Sequence, residues 1–236
     1  VSKPKAYLIP NFLGENVSQE NSFPANNRNI IDSLDVFAVE HLKEARRLFV
    51  KMDLKHKIEN SRFYEIHNKA NSQEQIDLLK ELNQGHSIGI ISDAGCPSIA
   101  DPGSGLINIA HQKGYQIIPL VGPSSILMAL IASGFNGQSF VFHGYLSREQ
   151  RDRITTIRQM ESNGKRLNQT QVFMETPYRN DALFKDLIRN LNPKTQLCIA
   201  SSIMQMDESI QTKAIEDWKK TKVDLKNKPS IFLISA

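Results

Sequence analysis

Hydrophobic and polar positions along this chain fall into two alternating rhythms. Short apolar runs, suited to buried strands, stand at 6–10, 35–39, 63–67, 88–91 and 116–121. Between them, apolar residues spaced three or four apart predict helices. Residues 40–52 carry Leu42, Ala45, Leu48 and Phe49 at helical spacing, with a basic cluster at Lys43, Arg46, Arg47 and Lys51. Ser72-Gln73-Glu74-Gln75 has the capping-box pattern, followed by Ile76, Leu79 and Leu82, with Gly85 as the stop. Residues 106–113 form the next predicted helix, ended by Gly114. The polar stretch 16–28 reads as a loop, either covering a cleft or simply lying on the surface.

Further along, residues 126–133 are apolar nearly all round, which predicts a buried helix. Strands are expected at 140–143, 172–175, 196–201 and 230–235. An amphipathic helix starts at Ser147 and carries Ile154, Ile157 and Met160, and a polar hairpin or loop follows at 163–170. Thr176-Pro177 opens another helix, with Leu183, Phe184, Leu187 and Leu191 behind it, and 213–220 reads as a short helix. The first half alternates strand and helix; the second has more strands and longer gaps. The fold class is α/β with two domains, 1–122 and 123–236, the boundary falling just after Gly122.

Composition narrows the field. With 236 residues, 40% hydrophobic and 23% charged, the chain is globular rather than disordered. A net charge of +4 leans weakly toward an anionic partner. Cys96 and Cys198 have no C-x-x-C spacing for zinc and suit a reduced, cytoplasmic protein; no metal site is expected. Residues 1–5 carry no signal-peptide core, and the most apolar stretch, 117–132, is broken by Gly122-Pro123-Ser124-Ser125, so no membrane span is expected. G-x-G-x-x-G after the first strand, the Walker lysine motif, H-E-x-x-H and G-x-S-x-G are all missing. Dinucleotide, ATP, zinc-protease and serine-hydrolase chemistry are therefore unsignalled.

What remains is the stretch 87–135, around which the chain is organised. Two apolar strands each end in a small-residue loop and feed a helix, as at ligand clefts on the C-terminal edge of a parallel sheet. The loops hold Gly95-Cys96-Pro97, Asp101-Pro102-Gly103 and Gly122-Pro123-Ser124-Ser125. Glycine lets a backbone approach a ligand and proline holds a turn rigid. Ser124 and Ser125 open a helix whose free N–H groups suit a carboxylate or the polar edge of a base. Tight turns without a ligand are the other reading.

Ser92-Asp93-Ala94-Gly95-Cys96-Pro97-Ser98-Ile99-Ala100-Asp101-Pro102-Gly103 resembles the S-D-A-G-T-P-x-x-x-D-P-G signature of the ribosomal RNA small-subunit methyltransferase I family, the 16S rRNA cytidine 2′-O-methyltransferases. That family lies within the tetrapyrrole (corrin/porphyrin) methylase superfamily. Residues 119–125 are similar to its P-x-P-G-P-S-A, 140–148 to its F-x-F-x-G-F-L-P-R, and Phe173-Met174-Glu175-Thr176-Pro177-Tyr178-Arg179 to its F-Y-E-S-P-H-R. His67-Asn68 falls where the family carries H-N-E, and Lys228-Pro229-Ser230-Ile231 resembles the entry to its last strand.

The resemblance implies a two-domain class III methyltransferase, usually a homodimer, with S-adenosylmethionine in a cleft between its domains. The N-terminal domain would supply the substrate face and half of the cleft. Gly95-Cys96-Pro97 aligns with the G-D-P triplet of the corrin methylases. Cofactor contact is thereby carried to Leu13, Gly95, Cys96, Pro97, Ile99, Ser124, Ser125, Met174 and Pro229. RNA, specifically 16S rRNA or the small ribosomal subunit, is the implied substrate. The alternatives are a corrin or porphyrin precursor, or a non-catalytic member binding cofactor or RNA. The chain departs from the pattern at Asn11-Phe12-Leu13-Gly14-Glu15 for T-P-I-G-N, Glu40-His41-Leu42-Lys43 for E-D-T-R, His67-Asn68-Lys69 for H-N-E, and Cys96 for threonine. It also ends at its last strand, where some members carry a C-terminal extension.

A ribose hydroxyl is a poor nucleophile and gains from a nearby base, for which Glu40 and His67 are the candidates. A helix-start carboxylate and a strand-end histidine are the competing structural roles. Lys43, Arg46 and Arg47, and likewise Arg148, Arg151 and Arg153, suit either RNA phosphates or a solvated surface. Cys96 has no evident base partner for nucleophilic chemistry. Asp93 and Asp101 are expected to brace their loop through backbone hydrogen bonds.

Overall fold

The computed structural model describes residues 3–67 and 72–236. The chain divides into two compact units, Val1–Ser124 and Ser125–Ala236. In the first, the strands are β1 (Lys5–Ile9), β2 (Val36–Val39), β3 (Arg62–Glu65), β4 (Ile88–Ile91) and β5 (Gln116–Pro119). The helices are α1 (Gln19–Ser22), α2 (Ala25–Asp32), α3 (Leu42–Lys51), α4 (His56–Asn60), α5 (Gln73–Asn83) and α6 (Ser104–Gln112). The strands form one sheet in the order β3-β2-β4-β1-β5, parallel throughout.

A parallel sheet is covered on both faces, which favours near-continuous apolar runs in strands such as β2 and β4. All four residues of β2 and of β4 are buried. Val36, Ala38, Ile88 and Ile90 pack with Leu78, Leu82 and Leu106, while Phe37 meets Phe49 of α3 with ring centroids 5.1 Å apart. Gly89 is required here: a Cβ would come within 2.6 Å of Ile9 Cδ1 and 2.8 Å of the Phe37 ring. Ser72 caps α5 as its motif predicts, accepting from the Gln75 N–H. The polar stretch 16–28 is not a loop; it is largely helical and buries Val17, Phe23 and Asn27. Asn27 Nδ2 donates to the Val121 carbonyl at 2.7 Å, which ties α2 to the segment after β5.

The second unit holds α7 (Ser125–Ser133), β6 (Phe140–Tyr145), α8 (Gln150–Leu167), β7 (Thr170–Glu175), a 3-10 turn (Pro177–Arg179), α9 (Asn180–Asn190), β8 (Gln196–Ser201), β9 (Ser209–Ala214), α10 (Ile215–Trp218) and β10 (Ser230–Ser235). Its sheet runs β6-β7-β10-β8-β9, with β6 and β7 parallel and every other pair antiparallel. The core gathers Ile157, Met160, Phe173, Leu187, Trp218 and Phe232. Beside it lies a buried ion pair, Arg153 to Asp186, at 2.6 Å. Three expectations change. Helix α8 continues through the expected hairpin to Leu167. The expected helix over 213–220 shrinks to α10, because Lys213 belongs to the edge strand β9. Helix α7 buries Ala129 and Leu130, but leaves Ile131 82% exposed.

Candidate functional site

Parallel strands deliver the residues that follow them to one edge of the sheet. In the first unit these are Asn11–Leu13 after β1, Glu40 and His41 after β2, Ile66 and His67 after β3, and Ser92–Asp93 after β4. The loop 92–103 is fixed to the loop after β1 by a two-way bridge. Asn11 N–H donates to the Gly95 carbonyl at 2.9 Å, and Gly95 N–H donates to the Asn11 carbonyl at 3.1 Å. Asn11 Nδ2 also donates to the Ser92 carbonyl, and Ser92 Oγ to the Gly95 carbonyl. Gly95 has φ +66°, and a Cβ there would lie 3.3 Å from Leu13 Cδ2 and 3.6 Å from the Pro123 carbonyl oxygen. Cys96 sits 3.6 Å from that same oxygen, and burial pushes its thiol above the usual range. Ser98 and Ala100, though not glycine, are also left-handed, at φ 66° and 64°. Such backbone is costly and persists where the surroundings over-determine it.

Three carboxylates converge at this edge. Asp93 accepts from the His41 N–H at 3.2 Å and binds its Nδ1 at 2.6 Å, which pushes the imidazole's pKa up. Glu40 has no hydrogen-bond partner among the described residues. Burial raises its pKa, Asp93 adds to that, and the charges of His41 and His67 oppose it. Asp101 is pushed up to about 7, first by burial and then by Glu40 and Asp93. It too lacks a hydrogen-bond partner among the described residues, so of the two aspartates only Asp93 acts as a brace. Sequence reasoning undervalued Asp101 because Glu40, which raises its pKa, lies 61 positions away in the chain. The helix-start role considered for Glu40 belongs to Glu65, whose Oε1 accepts from the Leu42 N–H at 2.9 Å. Glu40 is thereby left available for other work.

A testable consequence concerns Asp101. Its folded pKa, about 7, stands above the unfolded value of 3.8, so between these limits the folded chain holds the extra proton. Stability from this group is present at pH 4 and lost as pH rises to 7. Thermal melts across that range are expected to show the wild type falling relative to Asp101→Asn; parallel curves would refute the assignment.

The inferred cofactor contacts are distributed over both units. Leu13, Gly95, Cys96 and Ser124 cluster in the first, with Pro97 half-buried and Ile99 47% exposed on the same loop. In the second, Ser125 opens α7, Met174 pairs with Ile231, and Pro229 precedes Ser230, which pairs with Glu175. Met174 and Pro229 thus share one end of adjacent strands. His67 is exposed near Glu40, whereas Asn68 and Lys69 of the same motif lie outside the described residues. Arg148 and Arg151 are exposed, but Arg153 is buried on Asp186, so it is not available to RNA.

A family model described as Tetrapyrrole (Corrin/Porphyrin) Methylases matches residues 23–215. The chain belongs to this family. It is a methyltransferase whose methyl donor is S-adenosylmethionine. Ribosomal RNA small subunit methyltransferase I of Vibrio cholerae is 28% identical over 213 residues, covering 88% of this chain and 68% of that protein. Its counterpart in Halalkalibacterium halodurans is 33% identical over 165 residues, covering 70% and 54%. Among solved structures, diphthine synthase superposes with a TM-score of 0.63 at 16% identity, covering 98% of this chain and 90% of that one. Uroporphyrin-III-C-methyltransferase from Thermus thermophilus gives 0.57 at 15%, covering 98% and 94%. These structures attest the shared α/β fold. No helix among the described residues is long and apolar enough to cross a membrane.

The residues present fit the family's cofactor. The turn at Gly95 is left-handed and leaves little room for a side chain, and small polar groups at Cys96 and Ser124 stand beside it. Carboxylates at the same edge suit a cationic sulfonium.

Proposed function

We propose that this protein transfers the methyl group of S-adenosylmethionine to RNA of the small ribosomal subunit, at a ribose 2′-hydroxyl. The observation that carries the reading is Glu40, a partly buried carboxylate with a raised pKa and no hydrogen-bond partner among the described residues. The names of the relatives support the substrate class.

The bound cofactor supplies a methyl group on a positively charged sulfur, already activated for displacement. The chain has to align the acceptor oxygen and remove its proton. Glu40 would take the hydroxyl proton as the methyl group passes to the acceptor oxygen. His67 sits near enough to stabilise the Glu40 carboxylate. Leu13, Gly95, Cys96, Pro97, Ile99 and Ser124 in the first unit, and Ser125, Met174 and Pro229 in the second, hold the cofactor. On this reading the protein works in the cytoplasm, where Cys96 and Cys198 remain thiols. It works as a homodimer, for which exposed Ile131 supplies apolar surface.

The test supplies methyl-labelled S-adenosylmethionine and small ribosomal subunits from bacteria lacking their own methyltransferase I. Digested RNA is expected to contain labelled 2′-O-methyl nucleoside. Unlabelled RNA from a protein that still binds cofactor in calorimetry would sink the proposal. Gly95→Ala is the matched control. A left-handed Cβ costs roughly 1–2 kcal/mol of folding stability in free and bound protein alike, while the Cβ itself, close to Leu13, should weaken cofactor binding.

A further inference from the structure

Next to the carboxylates lies a cavity of about 650 Å³ that shares only Leu13 with the proposed cofactor contacts. Its walls are the loop after β1, the outer stripe of α3, and Asp93 with Ala94. A volume of this order is typical of small-ligand sites. Leu13, Val50 and the edge of Phe12 provide an apolar surface, and Val50 is 48% exposed. The basic residues around it are not equivalent. Lys51 points inward: Nζ donates to the Gly14 carbonyl at 2.6 Å and stands 4.4 Å from the centre of the Phe12 ring. Arg47 is balanced by Glu44 at 3.0 Å and Glu15 at 3.5 Å. Lys43 and Arg46 are exposed and have no ion-pair partner among the described residues. One helical turn apart, they form a short cationic row along the rim.

We infer that this cavity is a nucleotide subsite: Lys43 and Arg46 hold consecutive phosphates of a single-stranded RNA segment, and an unstacked base lies against Val50. The inference rests on the RNA reading of the proposed function and deepens it. Charge complementarity selects the occupant. Two unpaired cations in a row suit a phosphodiester backbone, and an apolar floor beside them suits the face of a base. A strand held here passes directly by Asp93, and so by the carboxylate group that includes Glu40.

The experiment titrates a fluorescent single-stranded RNA decamer into the full chain across a range of salt concentrations. A decamer of the same ribose-phosphate backbone without bases serves as the second probe. Cofactor calorimetry confirms that each variant is folded. For Lys43→Ala/Arg46→Ala, loss of two phosphate contacts should lower the slope of log affinity against log salt by about 1.4. Val50→Trp fills the floor without changing charge. It should weaken the RNA decamer about tenfold while leaving the base-free decamer unchanged. An unaltered salt slope in the double variant overturns the inference. So does a Val50→Trp variant that treats both probes alike, because the strand would then cross the helix without entering the cavity. Wild type that binds cofactor but neither decamer also overturns the subsite, and the RNA reading falls with it only where small subunits stay unlabelled as well. Variants that fail here while wild type methylates RNA leave that reading standing and remove only the subsite.

Discussion

Replacing Glu40 by glutamine should lower the rate of methyl transfer by roughly 10²–10⁴ while leaving cofactor affinity within a few-fold of wild type. Glutamine keeps the size and polarity of the side chain but cannot accept a proton. The separation of effects follows from the local wiring. Glu65, not Glu40, satisfies the start of α3, so the substitution removes no helix cap. Asp93 and His41 hold each other without help from Glu40. The change should even relieve like-charge crowding, since Asp93 raises the Glu40 pKa and Glu40 raises that of Asp101. Single-turnover transfer into small-subunit RNA measures the chemical step. In wild type that rate should climb as pH rises through the elevated pKa of Glu40, because the carboxylate is the active form. The climbing limb should vanish in the variant. A Glu40→Gln enzyme with wild-type turnover would move the base elsewhere, and His67 would be examined next.

The second large effect is on stability. Arg153 and Asp186 are 9% and 4% exposed at their side chains. Arg153 Nε and Nη2 both donate to Asp186 Oδ2, and Nη1 reaches the carbonyls of Ser147 and Arg148. Gln150 Nε2 occupies the other Asp186 oxygen. Asp186→Ala leaves a buried guanidinium without its counter-charge, a loss of about 3–5 kcal/mol. Arg153→Met/Asp186→Leu, which removes both charges, should cost far less. Trp218, the single tryptophan, is buried in the same core and donates to the Leu197 carbonyl at 2.8 Å. Its fluorescence during urea unfolding therefore reports this unit. Equal midpoints for the single and double variants would show that the pair contributes little.

The signals that were legible in the sequence are those written by local chemistry. Ser72 and Gln75 announce a helix start, and the uninterrupted apolar runs at β2 and β4 announce a parallel sheet buried on both faces. The turn at Gly95 could be read because left-handed backbone favours glycine, whereas Ser98 and Ala100, equally left-handed, gave no such signal. Signals written by distant partners were not legible. The polar stretch 16–28 hides helices whose packing depends on isolated residues such as Phe23, which meets Phe12 edge-on at 4.8 Å. Strand β9 lies at a sheet edge and has little apolar content, so it exists only through its pairing with β8. Gly164 falls in the stretch expected as a hairpin or loop but sits inside α8, where a Cβ would come within 3.1 Å of the Gln169 carbonyl. In the site, Glu40 was nameable as a candidate, but its freedom from capping depends on Glu65, 25 positions later.

The strand order of the first sheet also constrains how the chain is made. Strand β1 lies between β4 and β5, with Ala6 opposite Ile88 and Lys5 opposite Gln116. Its first partner is thus some 82 residues downstream, the same separation spanned by the hydrogen bond from the Lys5 N–H to Ser87 Oγ. At ordinary elongation rates of about 5–20 residues per second, β1 waits roughly 4–16 seconds on the ribosome before it can pair. Throughout that interval its apolar edge is a target for chaperones. Slower synthesis therefore lengthens the time β1 spends without its sheet partners.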